Sequence, residues 1–264
     1  MSGQIRFFEK NKIDISEPNI SIAASQGDTY TDFVRNRSNL SAWQTTGSVD
    51  ADNTTFEIDL VDPRSIDSII LIKHNFKSFT LQYWDGASWV DFSTAINPST
   101  NTAETTFHQF TLVTTTKLKL TILGTIIANA DKFLYQFIAT EQIGQLNGWP
   151  IVKPVIGRNR QRSKMISGKE SVREQIDATQ VKLNVNCWSN SADLSIVEEL
   201  YDSNDGFLVW LSGGDESQFS SVRQGYRLED LYLMKCIGEY KPAFYKGLYP
   251  SGLVIAIDLT EVVD

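Results

Sequence analysis

Catalysis needs side chains that can hold a proton, a metal ion or a nucleophile, and this sequence offers few of them at useful spacing. It has only two histidines, His74 and His108, and two cysteines, Cys187 and Cys236. A zinc site of the Cys/His kind takes four such ligands, and a disulfide framework takes more cysteines than two, so neither is expected. Each cysteine lies in an alternating apolar run and reads as a small buried hydrophobe. A Ser-His-Asp arrangement would have to recruit His74 or His108, and nothing local marks either one. Gly168-Lys169 is not a phosphate loop: Ser163 stands where the first glycine belongs, and Glu170 follows the lysine where Ser or Thr is required. The adjacent carboxylates Glu198-Glu199 point about 100° apart on a helix and cannot flank one glycosidic bond. The sequence therefore predicts no enzyme.

Two other kinds of chemistry have material. Asp50-Ala51-Asp52-Asn53 places oxygens at the close spacing that hard cations use, which makes Asp50 and Asp52 candidate calcium ligands. The run lacks the glycine and the distal glutamate of an EF-hand, and a polar turn leading into a strand explains it without metal. Calcium is the one cofactor the residues leave open. Among the aromatics, Tyr83, Trp84, Trp89 and Phe92 surround Asp85-Gly86, and Trp43 follows the polar run Ser38-Asn39-Leu40. Such residues stack on sugars when exposed beside polar loops, and serve the core or an interface when they are not.

Charge narrows the partners. With 24 basic against 32 acidic residues the net charge is −8, so the chain lacks the positive field that nucleic-acid binding draws on. The longest apolar runs, such as Ile69-Ile70-Leu71-Ile72, fall far short of the roughly 18–20 residues of a membrane helix. The first twelve residues lack the apolar stretch of a signal peptide, so neither a membrane span nor export is expected. One segment runs against the total: from Lys153 to Arg173 there are seven basic residues and one acidic residue. Within it Arg158, Arg160, Arg162 and Lys164 alternate, so an extended backbone would place all four on one side. The segment reads as a solvated linker, a nucleic-acid contact or a strap between subunits. Without interleaved aromatics the nucleic-acid reading is the poorer one, and charge matching with an acidic body favours an inter-subunit arm.

The elements follow from periodicity. Short alternating runs rich in Thr, Ile, Phe and Tyr predict strands over Ile20–Ala24, Thr55–Leu60, Ser68–His74, Ser78–Tyr83, Trp89–Ser93, Thr106–Leu112, Lys117–Leu123 and Phe133–Thr140. Asp85-Gly86 predicts a type I′ hairpin turn. The Pro, Gly and charge shift over 144–173 predicts a basic linker. Beyond it come a strand at Gln180–Trp188, a helix over Ser191–Asp202 and further strands at Phe207–Leu211, Tyr226–Gly238 and Gly252–Glu261. The expected fold is mainly β: a jelly-roll sandwich over 1–143, the linker, and a β-barrel or tube-like hub domain with one helix over 174–264.

The ordered run Trp43, Thr55–Leu60, Ile66–Leu71, Phe79–Trp89 and Lys117–Ile122 resembles the discoidin, or coagulation factor 5/8 type C, sandwich with its galactose-binding-like fold. The second half is similar in outline to hub domains of bacteriophage tail proteins, through its strand, single helix, Gly206–Trp210, Gly225-Tyr226 and the closing Gly252–Glu261 run. Together the two resemblances imply a structural, non-enzymatic part of a phage-type tail tip or baseplate. It would form a homo-oligomeric ring of three or six copies that joins the tail tube to distal parts, bind other tail proteins, and reside in the virion tail after assembly in the host cytoplasm. The alternative they imply is a carbohydrate-binding module for host-surface glycans, with Trp43, Arg35 and Arg37 as its site residues.

Overall fold

The computed structural model describes residues 3–37, 41–153, 158–164, 170–176, 180–187, 191–203, 205–211, 231–238 and 253–262. These residues are mainly β, and the chain divides into two compact units. One is Phe8–Gln142; the other gathers Met1–Phe7, Ile143–Ser221 and Asp230–Asp264. The expected 1–143 domain thus gives up its first residues. The strand β1 (Gly3–Phe8) belongs with the second unit, so the sandwich is inserted between two strands of that unit.

The inserted unit contains β2 (Ser21–Ala24), a 3-10 helical segment (Asp28–Arg35), β3 (Trp43–Gln44), β4 (Thr54–His74), β5 (Phe76–Trp84), β6 (Trp89–Ile96), β7 (Thr106–Thr125) and β8 (Phe133–Thr140). Seven strands pair in the order β3-β8-β4-β7-β5-β6, with β2 on the first part of β4. Two of the expected strands fuse into β4. Its first part pairs with β2 and β7 and its second with β7 and β8, and the register shifts between Asp59 and Arg64. At that corner Val61 adopts φ 62°, a conformation costly for a β-branched residue, and Pro63 brings no N–H to the ladder. The Asp59 carboxylate accepts the Val61 N–H at 2.9 Å and holds the bend. Alternation does the rest: Phe56, Ile58, Leu60, Phe79, Leu81, Leu118, Leu120 and Ile122 turn into one core, while Glu57, Lys117 and Lys119 remain on the opposite face.

The Asp85-Gly86 hairpin differs from its expected form. Trp84 pairs directly with Trp89, which leaves a four-residue loop in which Gly86 alone has positive φ (104°). The Asp85 carboxylate accepts the N–H groups of Ala87 and Ser88 at 2.8 and 2.7 Å. An Asx-type bond closes the loop, so no I′ turn is needed.

In the second unit, β1, β9 (Gln142–Lys153), β12 (Gln180–Cys187), β13 (Phe207–Trp210), β14 (Leu231–Cys236) and β15 (Leu253–Glu261) follow the hydrogen-bonded order β1-β13-β14-β15-β12-β9. Their inward residues, among them Ile5, Phe7, Val181, Leu183, Val209, Met234 and Ile257, form a second core, joined by Val197 and Leu200 of α1 (Ser191–Asp202). The 144–173 segment is structured where it is described. Its beginning is β9, which pairs with β12, and β10 (Arg158–Lys164) and β11 (Glu170–Ile176) form a separate antiparallel hairpin. Among the described residues this hairpin pairs with no other strand.

Candidate functional site

The 3-10 segment Asp28–Arg35 carries an exposed aromatic ring beside polar side chains. Asp28–Arg35 is two short 3-10 pieces joined across a kink at Tyr30 (φ −120°, ψ 18°), and its side chains meet in i, i+3 pairs on either side of that kink. Thr31 and Val34 turn inward and are buried. Asp32 and Arg35 pair across the next row, with Nε of Arg35 donating to Oδ1 at 2.9 Å. Tyr30 and Phe33 occupy the third row, their rings stacked 5.3 Å apart at 25°. Tyr30 is 52% exposed, Phe33 is half-buried, and Thr29 and Asp32 are exposed beside them.

Gly27 starts the segment at φ 70°. A Cβ there would stand 2.5 Å from the Gln44 carbonyl oxygen and 2.9 Å from Nε1 of Trp43, so the chain enters the segment hard against β3. An aromatic pair fixed in this way offers a flat apolar face that loses little freedom on binding, with hydroxyl and carboxylate groups at its rim.

Of the three sugar-site residues expected from the sequence, Arg35 lies in the same segment as Tyr30, whereas Trp43 and Arg37 are engaged in packing and an ion pair. Trp43 is 0% exposed, edge-on to Phe56 with centroids 5.2 Å apart, and cannot stack on a ligand. The polar run before it suggests a loop, but Trp43 lies in β3, paired with Leu134. Arg37 is committed to Asp14: its Nε and Nη2 donate to the two carboxylate oxygens at 2.5 and 2.7 Å. Burial pushes the Asp14 carboxyl upward, but the bonds from Arg37 and Ser16 outweigh it and hold the group below the usual carboxylate range. Arg35 serves Asp32 and the Asp14 carbonyl, the latter at 3.5 Å. Both arginines therefore position the segment that carries Tyr30. Sequence reasoning misses Tyr30 and Phe33, although their i, i+3 spacing is there to be read.

The hairpin aromatics divide between two faces. Tyr83 and Phe92 pack together at 5.2 Å, and Phe92 stacks on Phe110 at 3.9 Å, on the core side. Trp84 and Trp89 meet edge-on at 5.4 Å, half-buried, with Nζ of Lys119 5.0 Å from the Trp89 ring centre. This pair is already occupied by itself and by a lysine.

The expected calcium ligands are engaged with protein groups. Oδ1 of Asp50 accepts the Thr125 N–H at 3.0 Å and its hydroxyl at 2.8 Å, and Oδ2 of Asp52 accepts the Val49 N–H at 3.1 Å. Among the described residues, no group of three or more His, Cys, Asp or Glu is placed to hold a metal ion.

His74 and His108 lie on neighbouring strands with Phe79 between them, its ring 5.7 Å from each imidazole. Nδ1 of His74 accepts the Phe76 N–H at 3.0 Å, which places the proton on Nε2, facing Thr106 Oγ1 at 3.2 Å. Burial, with a smaller contribution from His108, lowers the His74 pKa to about 3, and burial alone lowers that of His108 to about 4. Both are neutral structural residues at pH 7. Cys236 is half-buried, and burial raises its thiol to about 12, far from a reactive thiolate.

Of the basic arm, Arg158, Arg160, Arg162 and Lys164 occupy alternate positions of β10, opposite Ile176, Glu174, Val172 and Glu170. Among the described residues no helix is long and apolar enough to cross a membrane.

No family model matches the chain, and no curated protein matches it. Solved structures do, over about half its length. Chitosan-binding module 1 of a chitosanase/glucanase from Paenibacillus sp. IK-5 shares 15% identity over 50% of this chain and 98% of its own, with a TM-score of 0.41. The module CpGH89CBM32-6 of Clostridium perfringens shares 11% over 50% and 99%, with a TM-score of 0.40. A putative alpha-L-fucosidase of Bacteroides thetaiotaomicron shares 14% over 50% of this chain and 29% of its own, with a TM-score of 0.43.

Proposed function

We propose that the Phe8–Gln142 unit is a carbohydrate-binding module and that the protein acts by binding rather than catalysis. The observation that carries this reading is the exposed Tyr30 ring, stacked on Phe33 and flanked by Thr29 and Asp32. A sugar laid on Tyr30 would bury the apolar face of its ring and meet hydrogen-bonding groups at the edge, the combination small-ligand sites use. The Asp32–Arg35 pair would supply an acceptor and donors already held in place. Screening the full chain on a glycan array tests the reading. It expects a defined set of glycans to be bound, and binding to survive Trp84→Ala but not Tyr30→Ala. An array with no hits, or loss through Trp84→Ala alone, overturns it.

The tail-tip reading, with a ring of three or six copies around a barrel-like hub, draws on one observation. Among the described residues the β10–β11 hairpin pairs with no strand of the two larger sheets, and it carries four basic residues at alternate positions. Such an arm suits contact with an acidic neighbour, including a second copy of this chain.

A further inference from the structure

The nine residues that join β6 to β7, 97–105, lie as a strap along the β4–β5 turn. The Phe79 N–H donates to Pro98 O at 3.1 Å, the Asn101 N–H to Lys77 O at 2.9 Å, and the His74 N–H to Glu104 O at 2.7 Å. Nδ2 of Asn101 donates to Phe76 O at 2.7 Å, and Thr105 Oγ1 accepts the Lys73 N–H at 3.2 Å. Every residue of the strap is exposed or half-buried, so hydrogen bonds rather than apolar packing hold it down. Segments held in this way open at lower free energy than a core.

Strap, turn and core meet at His74, which is fully buried and stacked on Phe76 with centroids 4.7 Å apart. All three of its nitrogens are engaged: the backbone N–H with Glu104 O, Nε2 with Thr106 Oγ1 at the end of the strap, and Nδ1 with the Phe76 N–H at 3.0 Å. The last bond needs a neutral ring, because an imidazolium carries a proton on each nitrogen and accepts nothing. A proton on Nδ1 would set N–H against N–H inside the turn and place a charge beside Phe76 and Phe79. The charged or titratable residues around His74 are Lys73 on β4, Lys77 on β5, His108 on β7 and Glu104 on the strap, while β8 carries none. Of these, His108 acts on His74 in the same direction as burial, against the charged form.

We propose that His74 is the pin of an acid-released strap: its protonation ejects the Phe76 N–H, frees the 97–105 segment and opens this end of the inserted unit before the core unfolds. The sign follows from linkage. An imidazole freed from burial titrates near 6.5, whereas the closed form resists the proton, so the open form gains protons first as pH falls. Above about pH 6.5 the strap stays shut. Opening uncovers the Phe76 and Phe79 rings, both fully buried in the closed form. The device does not depend on what Tyr30 binds.

Native-state hydrogen exchange of the full chain, followed by NMR at about pH 7 and about pH 5 and corrected for intrinsic rates, tests this. The Phe76, Phe79 and Asn101 amides are expected to exchange faster than those of Leu118 and Leu120 in β7 at both pH values. Between the two they are expected to lose about 20-fold or more of their protection, the effect of one histidine that titrates only when open. His74→Asn, whose amide oxygen accepts the Phe76 N–H without titrating, is expected to remove that loss, and His108→Leu to keep it. Strap amides that exchange at the rate of the β7 amides, or that keep equal protection at both pH values, overturn the proposal. So does a His74→Asn protein whose strap amides are as acid-sensitive as those of the wild type. The wild-type comparison decides by itself where a variant fails to fold.

Discussion

Enclosed against Phe56 and close to Gly27, Trp43 contributes through packing, and its truncation should behave as a core deletion. Trp43→Ala is expected to cost about 3–5 kcal/mol of stability, read by denaturant unfolding. A shift below about 1 kcal/mol would place the ring outside the core. The two buried histidines give the inserted unit an acid-sensitive term. Their folded pKa values, about 3 for His74 and about 4 for His108, lie below the unfolded value of about 6.5. The unfolded chain therefore takes up protons first as pH falls, and stability is lost from about pH 6.5 downward, while above that pH the term vanishes. Between pH 7 and pH 5 the loss should reach about 2 kcal/mol for each histidine. His108→Leu, which removes a ring whose Nε2 is buried without a hydrogen-bond partner among the described residues, should halve the fall. Equal pH profiles for variant and wild type would show that His108 is not the source.

Among the elements, β8 (Phe133–Thr140) is legible to the residue, because a short run rich in aromatic and aliphatic residues stands between the charged residues Lys132 and Glu141. β4 reads as two strands in the sequence, since Asp62-Pro63 signals a turn, yet the Asp59 side chain holds the corner and pairing resumes beyond it. β1 escapes sequence reasoning because its pairing partners lie far along the chain, and no local pattern announces them. The 3-10 segment escapes it for the opposite reason. Its period of three is neither helical nor strand-like, so Tyr30 and Phe33 pass as loop residues while Trp43, the larger ring, draws the assignment. The β10–β11 hairpin shows the limit of composition: a basic, Gly- and Pro-flanked run reads as a linker although it alternates as a strand does. Replacing Arg158, Arg160, Arg162 and Lys164 with Ser is expected to lower the oligomeric state in sizing experiments, more steeply at about 0.05 M than at 0.5 M salt, where the wild-type contact is already screened. An unchanged assembly state at both would remove the arm from any subunit contact.

At the scale of the whole molecule, the net charge of −8 conceals two regions of opposite character. One basic hairpin belongs to a chain that is otherwise strongly acidic, and an inserted sandwich presents an aromatic platform on a short, well-anchored segment. The scarcity of histidine and cysteine is matched by the roles of those described: His74, His108 and Cys236 are all shifted away from reactivity at neutral pH. Binding is the function proposed for the inserted unit, and Tyr30 is the residue proposed to carry it. The direct test is equilibrium titration of the strongest array glycan against wild type, Tyr30→Phe and Tyr30→Ala, each checked for an unchanged melting temperature. The account predicts near wild-type affinity for Phe and a loss of about tenfold or more for Ala, equivalent to about 1.4 kcal/mol. Equal affinity for all three proteins would contradict it.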